Sequence, residues 1–223
     1  MNDVSRSIVV NSHANNTVAL RRLLDSLAMC EGYEAADIIV VIGGCQQTSV
    51  MTHGNVTTAR VDHNSIDFTG LIALLEVPDL RRPSYFYVHD TCEAGPHFIE
   101  NVTRGTIDYD TASFVFHSMN MGVYSWRALD RHRDLVLSFK NPDLGPKAAA
   151  RFKRLCVDHE DAVFRANKAL GLHEFIDRED PMMDSVRDVY GTGVPRRLKY
   201  FPIVDLTKFA ANWVRRDVYE LRL

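Results

Sequence analysis

The sequence predicts an α/β protein with a mostly parallel central sheet and helices on both faces. Three observations predict it. Asp37-Ile38-Ile39-Val40-Val41-Ile42 is apolar throughout after its first residue and stops at Gly43-Gly44, as a strand covered on both faces does. β-Branched or aromatic runs recur at 7–12, 56–61, 84–88 and 112–117. Helix-periodic segments separate several of them, and parallel neighbours need such crossovers.

Taken in order, Ser7-Ile8-Val9-Val10-Asn11-Ser12 forms the first strand, and 17–29 spaces Val18, Leu20, Leu24 and Leu27 as a helix does. After the second strand, 56–61 makes a third. The polar Asp62-His63-Asn64-Ser65 leads into a helix over 68–76, which ends before Pro78 because proline disfavours helical backbone in the residue preceding it. Ser84-Tyr85-Phe86-Tyr87-Val88 is a fourth strand tipped by His89-Asp90-Thr91. The fifth, over 112–117, is followed by the glycine-containing loop Asn120-Met121-Gly122-Val123-Tyr124 and then a helix. Beyond Leu135 the pattern turns helical and charged, with helices expected at 147–155 and 160–170 and a basic, aromatic tail over 196–223. No repeat or low-complexity segment interrupts it.

At 223 residues, 46% hydrophobic and 25% charged, the chain reads as one compact domain with an ordinary core. Its 26 basic against 29 acidic residues leave no broad positive field, which argues against general nucleic-acid binding. No apolar run approaches the roughly 18 residues a membrane helix needs, and Met1-Asn2-Asp3 is unlike a secretion signal, so a cytoplasmic protein is expected. Cys30, Cys45, Cys92 and Cys156 form no Cys-x-x-Cys pair and read as buried thiols.

Ligands of such sheets sit at the carboxyl ends of the strands. Asp90 ends an apolar strand there, where it either reaches a metal or diphosphate or caps the next turn. His89 beside it is either a ligand or an internally bonded histidine. Asn11, Ser12 and His13 end the first strand, suited equally to a base or ribose and to a turn. Glu160 and Asp161 open a helix, either as a general base reaching a cleft or as complements to the helix dipole. Trp126 is either a stacking wall or core.

In their order, these segments resemble the GT-A nucleotide-sugar glycosyltransferases over about 7–172, and the fold expected is GT-A-like. The first two strands look like the family's nucleobase-binding pair, with Gly43-Gly44 in place of an acidic pair often found there. His89-Asp90-Thr91 stands where the family has Asp-x-Asp, with one of the two acids. Asn120-Met121-Gly122-Val123-Tyr124 is similar to the loop beside the donor sugar. Glu160-Asp161-Ala162-Val163-Phe164-Arg165 looks like the Glu-Asp helix, whose Asp deprotonates the acceptor in inverting members. The resemblance thus implies Asp161 as base and Glu160 as acceptor-positioning residue. It implies donor contacts at Asn11, Ser12, His13, Gly43, His89, Asp90, Asn120, Met121 and Gly122. Asp90 would hold Mn2+ or Mg2+, or Arg196, Arg197 and Lys199 would neutralise the diphosphate in the cation's place. The donor expected is a UDP-sugar and the acceptor a glycan, protein or small molecule. Residues 1–117 would form the nucleotide-sugar half and 118–223 the acceptor half. The alternatives are an inactive nucleotide-sugar-binding module and, from His89-Asp90, a metal-dependent phosphohydrolase.

Overall fold

The computed structural model describes residues 6–103, 111–113, 120–141, 152–153, 155–156, 158–167, 173–174 and 182–211. Its first half alternates as the sequence predicts. β1 (Ser7–His13) leads to α1 (Thr17–Ala28), then come β2 (Ile38–Gly43), β3 (Ser49–His53) and β4 (Val56–Arg60). α2 (Thr69–Glu76), β5 (Ser84–His89), β6 (Cys92–Ala94) and α3 (Phe98–Thr103) follow. Next are β7 (Thr111–Ser113), β8 (Gly122–Ser125), α4 (Trp126–Arg131), α5 (Arg133–Leu137) and α6 (Ala162–Asn167). β9 (His173–Glu174), β10 (Met182–Arg187), β11 (Arg196–Phe201) and β12 (Leu206–Ala211) complete the set.

The main sheet has eight strands in the order β3-β4-β2-β1-β5-β8-β7-β9. Its centre, β4-β2-β1-β5, is parallel throughout, and β3 and β8 close the two sides of that block antiparallel. Successive side chains of a strand point to opposite faces, and the apolar runs feed two cores. Ile8, Val10, Ile38, Val40, Phe86 and Val88 meet Leu23 and Leu27 of α1 and Phe98 and Val102 of α3. Val9, Ile39, Val41, Tyr85 and Tyr87 meet α2, Leu129 of α4, Val136 of α5 and Phe164 of α6. Helices therefore cover both faces, and each fully buried Leu or Phe contributes about 1.5–3 kcal/mol.

Two regions differ from the sequence reading. Gly122–Ser125 is a strand and not a loop: its backbone pairs with both β5 and β7. Gly122 has φ 145°, a backbone that favours glycine, where the chain enters this strand. The basic tail, to which the sequence reading assigns no element, pairs as strands: 196–211 forms β11 and β12 of a second, four-stranded sheet ordered β10-β11-β12-β6. Of the expected fifth strand and the helix at 160–170, Thr111–Ser113 and Ala162–Asn167 are seen, and 114–119 and 168–170 lie outside the described residues. Most of 147–155 and all of 212–223 lie outside them too. No helix among the described residues is long and apolar enough to cross a membrane.

The chain runs outward from β1 through β2 to β4, then returns to place β5 on the other side of β1. Such a reversal of strand order opens a crevice at the carboxyl ends of β1 and β5. β8 runs antiparallel, so its first residues share that edge. Trp126 lies at the opposite end, where its backbone N–H donates to Pro83 O (2.9 Å), just before β5 begins. It packs against the core beneath Arg81, 4.3 Å from its ring, which removes it as a stacking wall for a ligand at the carboxyl edge.

Candidate functional site

The carboxyl edge gathers residues far apart in sequence. Asp90 directly follows β5 and is 4% exposed; its backbone N–H donates to Asn11 O (3.0 Å), and Ser12 Oγ donates to its Oδ2 (2.8 Å). Burial pushes its carboxyl up, opposed by the Ser12 hydrogen bond and the charge of Lys208.

His89 is fixed from both sides of its ring. Asn120 Nδ2 donates to Asp67 O, so its Oδ1 faces His89 Nε2 at 2.6 Å as an acceptor. That pattern assigns the ring proton to Nε2 and leaves the Nδ1 lone pair facing Lys208 Nζ at 3.4 Å. Burial, then the Lys208 ammonium, push the imidazole down to about 4, so it is neutral at pH 7. Asp67 Oδ1, 3.8 Å from Nδ1, faces an uncharged ring.

Asp67 belongs to a single turn of 3-10 helix, Ile66–Phe68, that precedes α2. Ile66 has φ +51°, an outlier for a β-branched residue. The conformation is held by Asn11, whose Nδ2 donates to Ile66 O (2.9 Å) while its Oδ1 accepts from the Gly70 N–H (2.8 Å). Tyr87 Oη donates to Asp67 O (2.9 Å) from the sheet below. Local strain of this kind persists only where its surroundings over-determine it.

Glu160 precedes α6 and is 7% exposed, with Oε2 lacking a hydrogen-bond partner. Burial first and the charge of Asp67 second push its carboxyl up to about 9, although Lys208 pulls the other way. It is therefore a neutral acid at pH 7. Asp161 beside it is half-buried, and its carboxylate pairs with Arg165 Nε at 3.0 Å. Two adjacent acids in different environments can divide donor and base roles.

The expected donor residues thus converge, but several are occupied structurally. Both ends of the Asn11 amide are used internally, which makes it a positioning residue for the Asp67 turn. Asn120 is fully buried between His89 and Asp67. Met121 is core, in sulfur contact with Cys92 at 4.0 Å. A Cβ on Gly43 would stand 2.7 Å from Thr69 Cγ2 and 3.0 Å from His63 O, so packing under α2 accounts for that glycine. His13, half-buried, accepts the Asn15 N–H at Nδ1 (3.1 Å) and covers Gly44.

Sequence reasoning missed Asp67 and Lys208. Lys208 lies on β12, opposite Cys92 of β6, and is 4% exposed. Its Nζ donates to Thr91 Oγ1 (2.5 Å). Neither residue carries a local motif; each reaches the edge through contacts more than 50 residues away.

A divalent cation at Asp90 fits this donor set poorly. Hard cations take clustered oxygen ligands, yet one Asp90 oxygen already accepts from Ser12 and an ammonium stands close by. Among the described residues, the one His/Cys/Asp/Glu trio with ligand atoms within 4.8 Å of one another is Glu31, His97 and Glu100, which is elsewhere. Arg196, Arg197 and Lys199 lie on β11, one strand further from β6 than Lys208. A groove of about 650 Å³ runs along α1, which follows β1, and is lined by Thr17, Arg21, Arg22, Asp25 and Glu93.

No family model matches the sequence, and no curated protein matches it. Among solved structures it is similar to the crystal structure of S. aureus TarS 1-349, at 15% identity and TM-score 0.36, over 57% of this chain. The match spans about half, 49%, of that structure's length.

Proposed function

We propose that this protein is a glycosyltransferase that moves a sugar from a nucleoside diphosphate donor, taken first as a UDP-sugar, to a hydroxyl acceptor with inversion. The observation that carries the reading is the convergence of Asp67, Asp90, Glu160 and Lys208 at the β1/β5 strand reversal, with Asp161 adjoining Glu160. His13 and the groove beginning at Thr17 offer the neighbouring surface for the nucleoside.

The chemistry is a displacement. The acceptor oxygen bonds to C1 of the sugar as the bond from C1 to the diphosphate oxygen breaks, and that electron pair stays on the diphosphate. The acceptor proton passes to the Asp161 carboxylate, a step worth on the order of 100-fold or more. Arg165 orients that carboxylate, and neutral Glu160 donates a hydrogen bond to the acceptor or sugar hydroxyls.

The test is a UDP-sugar panel assayed for transfer and hydrolysis. Asp161→Asn is expected to lower kcat about 100-fold or more while leaving donor affinity intact. Unchanged turnover removes Asp161 from the mechanism. Donor binding by the parent protein without turnover, on any acceptor class, leaves the inactive binding module as the function.

A further inference from the structure

Lys208 is a buried cation without a buried counter-ion in contact. Its ammonium has three N–H groups; Thr91 Oγ1 and His89 Nδ1 take two, and neither partner is charged. Among the described residues no carboxylate comes within ion-pair distance of Nζ, although Asp90 and Glu160 both feel its charge. The nearby acids are poor substitutes for a direct partner: Asp67 Oδ1 approaches His89 Nδ1 at 3.8 Å and makes no ion pair with Nζ, Glu160 is neutral at pH 7, and the Asp90 oxygen facing Ser12 is taken.

A buried charge without a direct partner is costly, and folded proteins retain one where something else supplies the opposite charge. The features that disfavour a divalent cation here, the lack among the described residues of three acid or imidazole ligand atoms gathered around Asp90 and an ammonium beside it, leave room for an anion at that ammonium. A lysine ammonium binds phosphate as a point charge. It stabilises charge developing on a leaving oxyanion by the same electrostatics that a metal ion supplies, and it is already held in place before the reaction begins.

We propose that Lys208 takes the place of a divalent cation: its third N–H receives the diphosphate of the donor, and nucleotide binding at this edge needs no metal. The identity of that diphosphate as part of a nucleotide sugar rests on the transferase reading. Thr91 and neutral His89 are the positioning residues that hold the ammonium.

Calorimetric titration of the full chain with UDP, UMP and inorganic pyrophosphate, in EDTA and then in excess Mn2+ or Mg2+, tests this. UDP is expected to bind in EDTA within about threefold of its affinity in Mn2+, and about tenfold or more tighter than UMP. Lys208→Met is expected to remove that tenfold preference while UMP affinity stays unchanged, which also shows that the variant is folded. If Lys208→Met does not fold, Thr91→Val loosens the ammonium and keeps its charge, and is expected to weaken UDP about three- to tenfold with UMP unaffected. UDP binding that requires Mn2+, or a UDP preference untouched by these substitutions, overturns the assignment and leaves the transferase reading standing. Pyrophosphate binding in EDTA that depends on Lys208, with no affinity for UDP, GDP or dTDP, supports the anion site and overturns the transferase reading. No affinity for any of them overturns both.

Discussion

Glu160 sets folding against chemistry within a single side chain. Its carboxyl titrates at about 9 in the folded chain against an ordinary 4.5, so between those values the folded state binds more protons than the unfolded state. Stability therefore falls as pH rises through that window, is greatest below it, and loses nothing further above it. Glutamine keeps the shape of the protonated acid and cannot ionise. Glu160→Gln is expected to match the parent in stability near pH 4.5 and to be the more stable of the two at pH 8 by on the order of a few kcal/mol, seen as a higher Tm. A thermal melt of both proteins across that range checks it, and equal Tm values at pH 8 would show that the ionised acid finds compensation in the fold. His89 acts in the opposite direction below pH 6.5. Its folded value of about 4 means that the unfolded state takes up the proton first, so acid erodes stability between those two values. The two residues sit at one edge and tilt the pH dependence of the whole chain from opposite ends.

At the scale of elements, β2 and α2 hold the Asp67 turn through a contact that has no room for a methyl group. A Cβ on Gly43 would stand 2.7 Å from Thr69 Cγ2 and 3.0 Å from the His63 carbonyl, both part of the segment that carries Asp67. Gly43→Ala is expected to cost about 1–3 kcal/mol through overpacking and to weaken with it the UDP binding proposed for this edge, because the start of α2 must shift. Tm and UDP affinity measured on one variant check both halves; an unchanged Tm sinks the steric account. The same elements show what a sequence can reveal about itself. β2 was legible because burial on both faces writes an unbroken apolar run, and Asp90 was legible because it ends one. β8 was not, since Asn120 and Gly122 taken locally suit a loop and its strand partners lie elsewhere in the chain. β3 escaped notice because it is an exposed edge strand with almost no apolar face to display. Lys208 was the least visible: on β12 it looks like one more basic residue of a basic tail, and its significance comes from pairing with β6, more than 100 residues earlier. Asn11 and Met121 are expected as donor contacts, yet Asn11 holds the Asp67 turn and Met121 is core, because residue type alone does not separate a group that binds a ligand from one that holds the frame.

At the scale of the whole molecule, the second sheet is tied to the first through a shared core and through the site. Val204 and Leu206 belong to the same buried cluster as Ile8, Val10, Phe86 and Val88, and Phe209 forms a T-shaped pair with Tyr190 while its backbone N–H donates to Thr91 O at 2.9 Å. On the other side of that junction, Arg22 of α1 pairs with Glu93 of β6 at 2.6 Å. Because one apolar cluster spans both sheets, neither can leave without exposing the other's core. One cooperative unfolding transition is the expected outcome, with calorimetric and van't Hoff enthalpies equal and of order 150 kcal/mol near 60 °C for a chain of this length. Leu206→Ala, at a fully buried position, should cost about 2–5 kcal/mol and lower that single transition without splitting it. A diphosphate ligand held between β5 and β12 would then raise the same transition, by about 2.7 kcal/mol at a hundredfold excess over its Kd. Two resolved transitions, with ligand moving only the second, would mean that the β10-β11-β12-β6 sheet folds as a separate cap and that Lys208 reaches the acid edge only after docking.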